Sequence, residues 1–280
     1  MSQPATLYVV ATPIGNLSDI SLRAIETLKS VDLIAAEDTR HSGRLLKHLD
    51  ISTPMQAYHD HSTQEQVDKL IAKLQQGANI ALISDAGTPL ISDPGYPLVS
   101  QARKLGIRVE PIPGACAVIA ALSASGLSSF QFSFEGFLPA KTHARQAILE
   151  WRKYDERTLI FYESPHRIVA SLDDIRVVLG ADRSIVLARE LTKTFETFLS
   201  GSVDEVIEMV HTDSNQQRGE MVILVQGYQK PVDEDVIPHD ALFTLQTLMD
   251  ELPLKQACAL AAKITGEKKN KLYKWAIDNK

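Results

Sequence analysis

Residues 79–95 read NIALISDAGTPLISDPG. The apolar run Asn79–Ile83 has the length and composition of a strand buried on both faces. Ser84–Gly95 follow as a loop bearing glycine and proline. In an open α/β sheet, such a loop lies at the carboxyl end of its strand, where ligands bind. Its chemistry argues against a phosphate. The loop holds Asp85 and Asp93 but no lysine or arginine, and it lacks the Gly-Lys-Ser/Thr ending that sets a lysine on phosphates. A dinucleotide fingerprint is missing too, since residues 12–16 after the first strand, TPIGN, offer one glycine. Carboxylates beside glycine amides suit a ligand with hydroxyls and a cation. Asp93-Pro94-Gly95 reads as a turn that starts the next helix.

The surrounding chain repeats the unit. Strands are expected at Thr6–Thr12, Asp32–Asp38, Thr53–His59, Asn79–Asp85 and Arg108–Gly114, and helices at Ser21–Ser30, His61–Gly77 and Tyr96–Gly106. That alternation predicts a mostly parallel sheet with helices on both faces. After Gly114 the pattern shifts. Ala115–Leu127 is a small-residue apolar helix, and strands at Arg157–Ser164, Arg183–Thr192 and Gly219–Tyr228 have more antiparallel character. The fold class is therefore α/β. We expect a first α/β domain over 1–114, a second over 115–228, an acidic Pro-bearing linker over 229–240 and a basic helical segment over 241–280. Two of the last helices, joined by ITGEKKN, resemble a helix-turn-helix.

Bulk properties exclude several classes. The chain has 280 residues and a net charge of −6. Its two cysteines, Cys116 and Cys258, make neither a disulfide framework nor a metal spacing. His41, His48, His59 and His61 cluster without zinc-ligand spacing, so no metal is expected, and His59-Asp60-His61 reads as a polar turn. No basic region precedes the short first apolar run, and no apolar stretch approaches the ~20 residues that span a bilayer. A reducing, cytoplasmic setting is expected. Charge is uneven: from Leu254 onward seven lysines face two acids, so that tail is +5 and the rest −11. A basic tail on an acidic body suits a polyanion, or equally a solvated helical face.

Seven ordered blocks carry a resemblance. They are YVVATPIGNLSDIS (8–21), AEDTRHSGRLL (36–46), ISDAGTPLISDPG (83–95), PIPGACAVIAALSASGL (111–127), FEGFLPAK (134–141), FYESPHRI (161–168) and ARELTKTFE (188–196). Together they resemble the ribosomal RNA small-subunit methyltransferase I group, a branch of the tetrapyrrole methylase superfamily. The resemblance implies two α/β domains with S-adenosylmethionine folded in the cleft between them, and a homodimer. It implies methylation of the ribose 2′-hydroxyl of a cytidine in the decoding region of 16S rRNA.

By position, Asp85 takes the place of the aspartate in the superfamily's Gly-Asp-Pro loop, with Gly87 and Thr88 beside it. Pro13, Cys116, Ala117, Tyr162, Glu220 and Met221 match other cofactor-lining places, and Asp85→Ala is expected to abolish cofactor binding. A base or positioned carboxylate would assist loss of the hydroxyl proton. Glu163, Glu190 and Glu37 are the candidates, with Lys193 on developing charge and His166 as a second base. Arg40, Arg189, Lys268, Lys269, Lys271 and Lys274 are the candidate contacts to RNA phosphates. Two other readings keep the cleft but change the partner. One is methylation of a tetrapyrrole ring carbon, which the lysine-rich tail disfavours. The other is a non-catalytic RNA-binding assembly factor.

Overall fold

Five short apolar strands build the first sheet: β1 (Thr6–Val10), β2 (Leu33–Ala36), β3 (Met55–Ala57), β4 (Ile80–Ile83) and β5 (Arg108–Ile112). The computed structural model describes residues 5–59, 62–229 and 237–278. The sheet is parallel throughout, in the order β3-β2-β4-β1-β5. Ile80 and Leu82 of β4 pack under α3 (Gln64–Gln75) and α4 (Tyr96–Lys104), while Ala81 and Ile83 pack under α1 (Leu22–Ser30) and α2 (Thr39–His48). Burial on both faces is why the run at 80–83 is continuously apolar rather than alternating. β3 is shorter than the expected Thr53–His59 because it is an edge strand paired only with β2. α3 begins at Gln64, not His61. Thr63 closes a capping box with Gln66, whose side chain accepts from the Thr63 amide at 2.9 Å. Of the expected turn His59-Asp60-His61, the last two residues lie outside the described residues.

The second sheet has β6 (Phe132–Phe137), β7 (Thr158–Glu163), β8 (Ser184–Arg189), β9 (Thr197–Ser202) and β10 (Met221–Val225), in the order β6-β7-β10-β8-β9. Only β6–β7 is parallel, so the expected antiparallel character is present in the other three pairings. Leu159, Phe161, Ile185, Leu187 and Ile223 pack under α6 (Thr142–Arg152), α7 (Ile168–Leu179) and α8 (Val203–Thr212). The other face is covered by α5 (Ala117–Ala124) through Val118, Ala121 and Leu122. The small residues of α5 let Ile14, from the loop after β1, reach the same cluster. Both sheets belong to one compact unit, Met1–Tyr228.

A buried ion pair locks the rim of the second sheet. Arg145 is 1% exposed, and its Nε donates to Asp174 Oδ2 at 2.6 Å. Its remaining donors reach Pro139 O, Ala140 O, Thr142 Oγ1 and Ala170 O at 3.1 to 3.4 Å, and Gln146 donates to Asp174 Oδ1 at 2.7 Å. The pair fixes the loop between β6 and α6 to α7.

Gln229–Lys280 form a separate unit. Its helices are α9 (His239–Glu251), α10 (Leu254–Thr265) and α11 (Lys269–Asp278), around Leu245, Ala257, Cys258, Ala261, Leu272 and Ala276. α9 starts two residues before the expected 241. Most of the expected linker, residues 230–236, lies outside the described residues. Gly266 ends α10 in the left-handed region, with φ +79, giving the tight α10–α11 turn expected of a helix-turn-helix.

Removing one member of a buried, hydrogen-bonded pair strands the other's charge. Asp174→Ala is expected to destabilise the protein by about 3–5 kcal/mol, read by urea denaturation followed by circular dichroism. The double variant Arg145→Met, Asp174→Leu should recover most of that loss.

Candidate functional site

The crossovers leaving β1 and β4 run in opposite directions along the sheet, β1 toward β2 and β4 toward β5. Neighbouring strands of that kind open a crevice at their carboxyl ends. Here the two loops are joined by a backbone pair. The Thr12 amide donates to Gly87 O at 2.9 Å, and the Gly87 amide donates to Thr12 O at 3.1 Å. Thr12 Oγ1 donates to Ser84 O at 3.3 Å. Gly87 has φ +82, and a Cβ there would stand 3.1 Å from Ile14 Cγ2, so the pair requires glycine. Thr88 Oγ1 donates to Ala115 O at 3.0 Å and fastens this loop to the one after β5.

A cavity of about 400 Å³ lies over these loops. One side is formed by Ile14, Ala86–Thr88 and Ile91–Asp93, and the other by Cys116, Ala117, Phe137, Tyr162, Glu163, Leu191, Glu220 and Met221. Among the described residues its lining includes no lysine or arginine. Tyr162 stands edge-on to Phe134 and Phe137, with ring centroids 4.8 and 5.4 Å away. Burial, and then the neighbouring Cys116 and Asp93, push its phenol above the usual range against an amide hydrogen bond from Val118. Tyr162 therefore presents a neutral hydroxyl at physiological pH.

The sequence candidates fall into three groups. Gly87, Thr88, Cys116, Ala117, Tyr162, Glu163, Glu220 and Met221 line the cavity. Pro13 and Asp85 do not, although Ile14 and Ala86 beside them do. Asp85 instead ties β4 to β2: its Oδ1 accepts from the Asp38 amide at 3.1 Å, and its own amide donates to Glu37 Oε2 at 3.2 Å. Asp38 in turn accepts from Arg40 Nε and Nη2 at 3.3 and 3.0 Å, and those bonds hold its carboxyl near a pKa of about 2. Glu37 and Asp85 thus shape the loop end, while Arg40 stays exposed on the surface.

Glu163 lines the cavity, but both of its oxygens are engaged. Oε1 accepts from the Ser164 amide at 2.6 Å and from Arg167, and Oε2 accepts from Ser171 Oγ at 2.5 Å. Protein donors thus hold both oxygens, and His166 nearby is exposed. Arg189 does not face solvent. It is 7% exposed and donates to Thr197 Oγ1, Gln216 Oε1, Arg218 O and Phe195 O at 3.0 to 3.2 Å, so it pins β8 to its neighbours rather than reaching for phosphate. Lys268, Lys269 and Lys274 are exposed at and along α11, and Lys271 Nζ lies 3.6 Å from Glu267.

Glu190 and Lys193 form a tie beside the cavity. Lys193 Nζ donates to Glu190 Oε1 at 2.8 Å and to Glu220 Oε2 at 3.0 Å, and the Glu220 amide donates to Glu190 Oε1 at 2.9 Å. Its stem runs so closely over Gly15 that a Cβ there would stand 2.5 Å from Lys193 Cγ. Burial disfavours the charge on Glu190, but Lys193 and the Glu220 amide outweigh it and hold the carboxyl below its usual range. For Lys193, burial is likewise outweighed by the two glutamates, which raise its pKa. Lys193 held between two carboxylates makes a clamp beside the cavity, and neither Glu190 nor Lys193 is among the residues that line it.

Sequence reasoning missed Ile91, Ser92, Asp93, Phe137 and Leu191 as lining residues. Ser92 and Asp93 were legible in principle, because they share a loop with Asp85, but the Asp-Pro-Gly turn reading accounted for them fully.

Comparison with known proteins gives a consistent picture. The tetrapyrrole (corrin/porphyrin) methylase model matches residues 6–207, and the RsmI C-terminal HTH domain model matches residues 235–280. The chain is 58% identical to ribosomal RNA small subunit methyltransferase I of Pseudomonas aeruginosa over 97% of this chain and 96% of that one. It is 57% identical to the protein of the same name from Escherichia coli O157:H7, over 97% and 94%. Among solved structures, uroporphyrin-III-C-methyltransferase of Thermus thermophilus has a TM-score of 0.56 at 17% identity, covering 79% of this chain and 94% of that one. Diphthine synthase has a TM-score of 0.59 at 12% identity, covering 79% and 90%. These two show likeness of fold.

A carboxyl whose pKa is lowered on folding stabilises above its unfolded value and loses that contribution as pH falls through the folded one. Glu190 should thus contribute fully above about pH 4.3, the ordinary glutamate value, and progressively less below it. Urea denaturation across pH 3–6 should show a shallower acid loss for Glu190→Gln than for the parent. Identical acid limbs would remove the clamp from the account.

Proposed function

Because this chain belongs to the tetrapyrrole (corrin/porphyrin) methylases, and within them to the ribosomal RNA small subunit methyltransferase I group, we propose that it methylates small-subunit rRNA with S-adenosylmethionine as donor. The acceptor is the ribose 2′-hydroxyl of a cytidine in the decoding region of 16S rRNA, free or within the small subunit. The observation that carries the donor is the cavity. It has a volume suited to one small molecule, walls that are largely apolar, and carboxylates without a basic residue among its described lining. A pyrophosphate-bearing cofactor would find no cation there, whereas a nucleoside carrying a sulfonium meets hydrogen-bonding backbone and negative charge.

Within this reading, Ala86–Thr88, Cys116 and Ala117 hold the donor from the loops after β4 and β5, and Tyr162, Glu220 and Met221 hold it from the second sheet. S-adenosylmethionine supplies a methyl carbon already activated by its bond to a positive sulfur. The protein's work is therefore alignment and exclusion of water. Ile14, Ile91, Phe137, Leu191 and Val222 provide the apolar wall for that. The domain division belongs to the same proposal: residues 1–114 and 115–228 face the donor from two sides, and 241–280 engage RNA through Lys268, Lys269, Lys271 and Lys274. A cytoplasmic homodimer completes it. No described helix is long and apolar enough to cross a membrane.

The direct test incubates the protein with methyl-labelled S-adenosylmethionine and small ribosomal subunits, then maps label after alkaline hydrolysis. We expect one hydrolysis-resistant dinucleotide containing cytidine. Label on a base, or none, rejects the reading. Ala117→Leu, which fills the cavity, should weaken calorimetric affinity for the donor at least tenfold. Truncation after Asp240 should weaken rRNA binding and flatten its salt dependence while leaving donor affinity unchanged.

A further inference from the structure

β6 breaks its own alternation on the way to the cavity. Successive side chains of a strand point to opposite faces of the sheet, and directly paired neighbours share a face. β6 and β7 pair Phe134 with Ile160, but the next pairing matches Phe137 with Tyr162. The step from 134 to 137 on β6 thus meets the step from 160 to 162 on β7, so β6 holds one extra residue, a bulge between Phe134 and Phe137. Bulges re-aim the side chain that follows them and are over-represented beside active sites. Gly136 sits in this one at φ +72. Without the extra residue, Gly136 would stand opposite Tyr162, and Phe137 would fall on the other face, toward the core under α6 and α7. Leu138 occupies that core instead, at 2% exposed, and Glu135 is held by Ser133 and Arg152.

The bulge sets Phe137 on the cavity wall beside Tyr162, with ring centroids 5.4 Å apart and planes at 65°. Tyr162 is braced in turn by Phe134, 4.8 Å away, so Phe137 stands against a fixed ring. The bulge also meets the opposite wall: a Cβ on Gly136 would stand 3.7 Å from Ser92 Oγ, and Ser92 lines the cavity. Even so, Phe137 is 56% exposed. A lone exposed phenylalanine is ordinary. One turned away from a core by a bulge, and set where a cavity opens to solvent, is a contact surface. Its chemistry is specific, because the described lining includes carboxylates but no lysine or arginine. That rim cannot grip a phosphate, whereas an aromatic ring offers the neutral, planar part of a nucleotide a stacking face.

We propose that Phe137 is the platform on which the base of the acceptor nucleotide stacks, so that the ribose hydroxyl is presented to the donor inside the cavity. The inference rests on the methyltransferase reading above and names a substrate-positioning residue for it. The acceptor ribose must enter the cavity mouth to reach the donor. Its base is one glycosidic bond away, so the base lies at the rim when the hydroxyl is in place. Base–aromatic stacking needs no charge and tolerates any base, which suits a rim bearing carboxylates. Phe137 takes no part in proton or methyl transfer. It raises the population of aligned acceptor, which is where a positioning contact acts on rate.

The test compares Phe137→Ala, Phe137→Leu and Phe137→Trp with the parent. Steady-state methylation of small ribosomal subunits with methyl-labelled S-adenosylmethionine gives kcat and KM, calorimetry gives donor affinity, and sedimentation velocity gives the assembly state. We expect Phe137→Ala and Phe137→Leu to lose roughly tenfold or more in kcat/KM for subunits, mainly through KM, within the range that loss of one base–aromatic stack brings. Phe137→Trp should stay within about threefold of the parent, because it restores a stacking face. Donor affinity and sedimentation should be unchanged in every variant. A Phe137→Ala rate close to the parent's overturns the proposal, as does a Phe137→Trp as poor as Phe137→Ala. So does a Phe137→Leu equal to the parent, which would leave apolar packing alone. A parallel loss of donor affinity would make Phe137 part of the donor's wall, and a changed sedimentation coefficient would set the ring against a second copy of the chain; either overturns it too. A parent that labels no ribose fails the methyltransferase reading itself, whereas an active parent beside an equally active Phe137→Ala rejects the platform alone.

Discussion

Everything at this site depends on two backbone hydrogen bonds between Thr12 and Gly87. Strands β1 and β4 are central and buried on both faces, so the chain leaving them must satisfy its amides and carbonyls without water. The reciprocal pair does so one step beyond the sheet. It extends the β1–β4 association into the loops, and it does so with an antiparallel bridge between strands that run parallel. That reversal needs the left-handed glycine at 87. The consequence is a rigid lip, from which Ile14 reaches the second sheet's core and Thr88 reaches the loop that begins α5.

The second sheet meets this lip through different physics. Ile14 packs among Val118, Ala121, Leu122 and Leu191, which is apolar burial with little directionality. Direction comes from Lys193, clamped between Glu190 and Glu220 and lying over Gly15. A partly buried ammonium between two carboxylates is held by charge-assisted bonds, which are shorter and stronger than neutral ones. Glu190 and Thr192 both take positive φ to make that turn. The apolar contact brings the halves together, and the clamp holds the Lys193 stem where it lies over Gly15. Lys193 and Glu190 therefore stand beside the cavity without lining it.

The fold was largely legible because its signals are local. The 80–83 run, the Thr63 cap of α3, and the small-residue stretch of α5 each state their environment in composition. The site was half legible. Gly87 and Thr88 lie in the loop just after β4, so strand prediction delivers them to the cleft, whereas Cys116, past β5, and Tyr162, inside β7, come only from the family resemblance. Asp85 and Glu37 follow strands too, and Arg189 ends one, yet they turn to protein partners. No spacing rule separates a carboxylate that accepts from the next strand's amide from one that faces a cavity. Asp93 shows the converse failure. Asp-Pro-Gly is sufficient as a turn, and only the positive φ of Leu90 and Ser92, invisible in residue type, reveals that the loop spends strain to reach the cleft.

An acidic cleft is an odd feature for an enzyme acting on a polyanion, since RNA phosphates should be repelled. The partners of the carboxylates resolve much of this. Glu163 is offset by Arg167, Glu190 and Glu220 share Lys193, and Asp38 is offset by Arg40, so the rim carries less net charge than its residue count suggests. What stays negative lies inside, where a sulfonium would be welcomed and a phosphate excluded. The body outside the tail is −11 and the tail +5. Exposed charges are screened beyond about 8 Å at physiological salt, so each acts mainly on charges close to it.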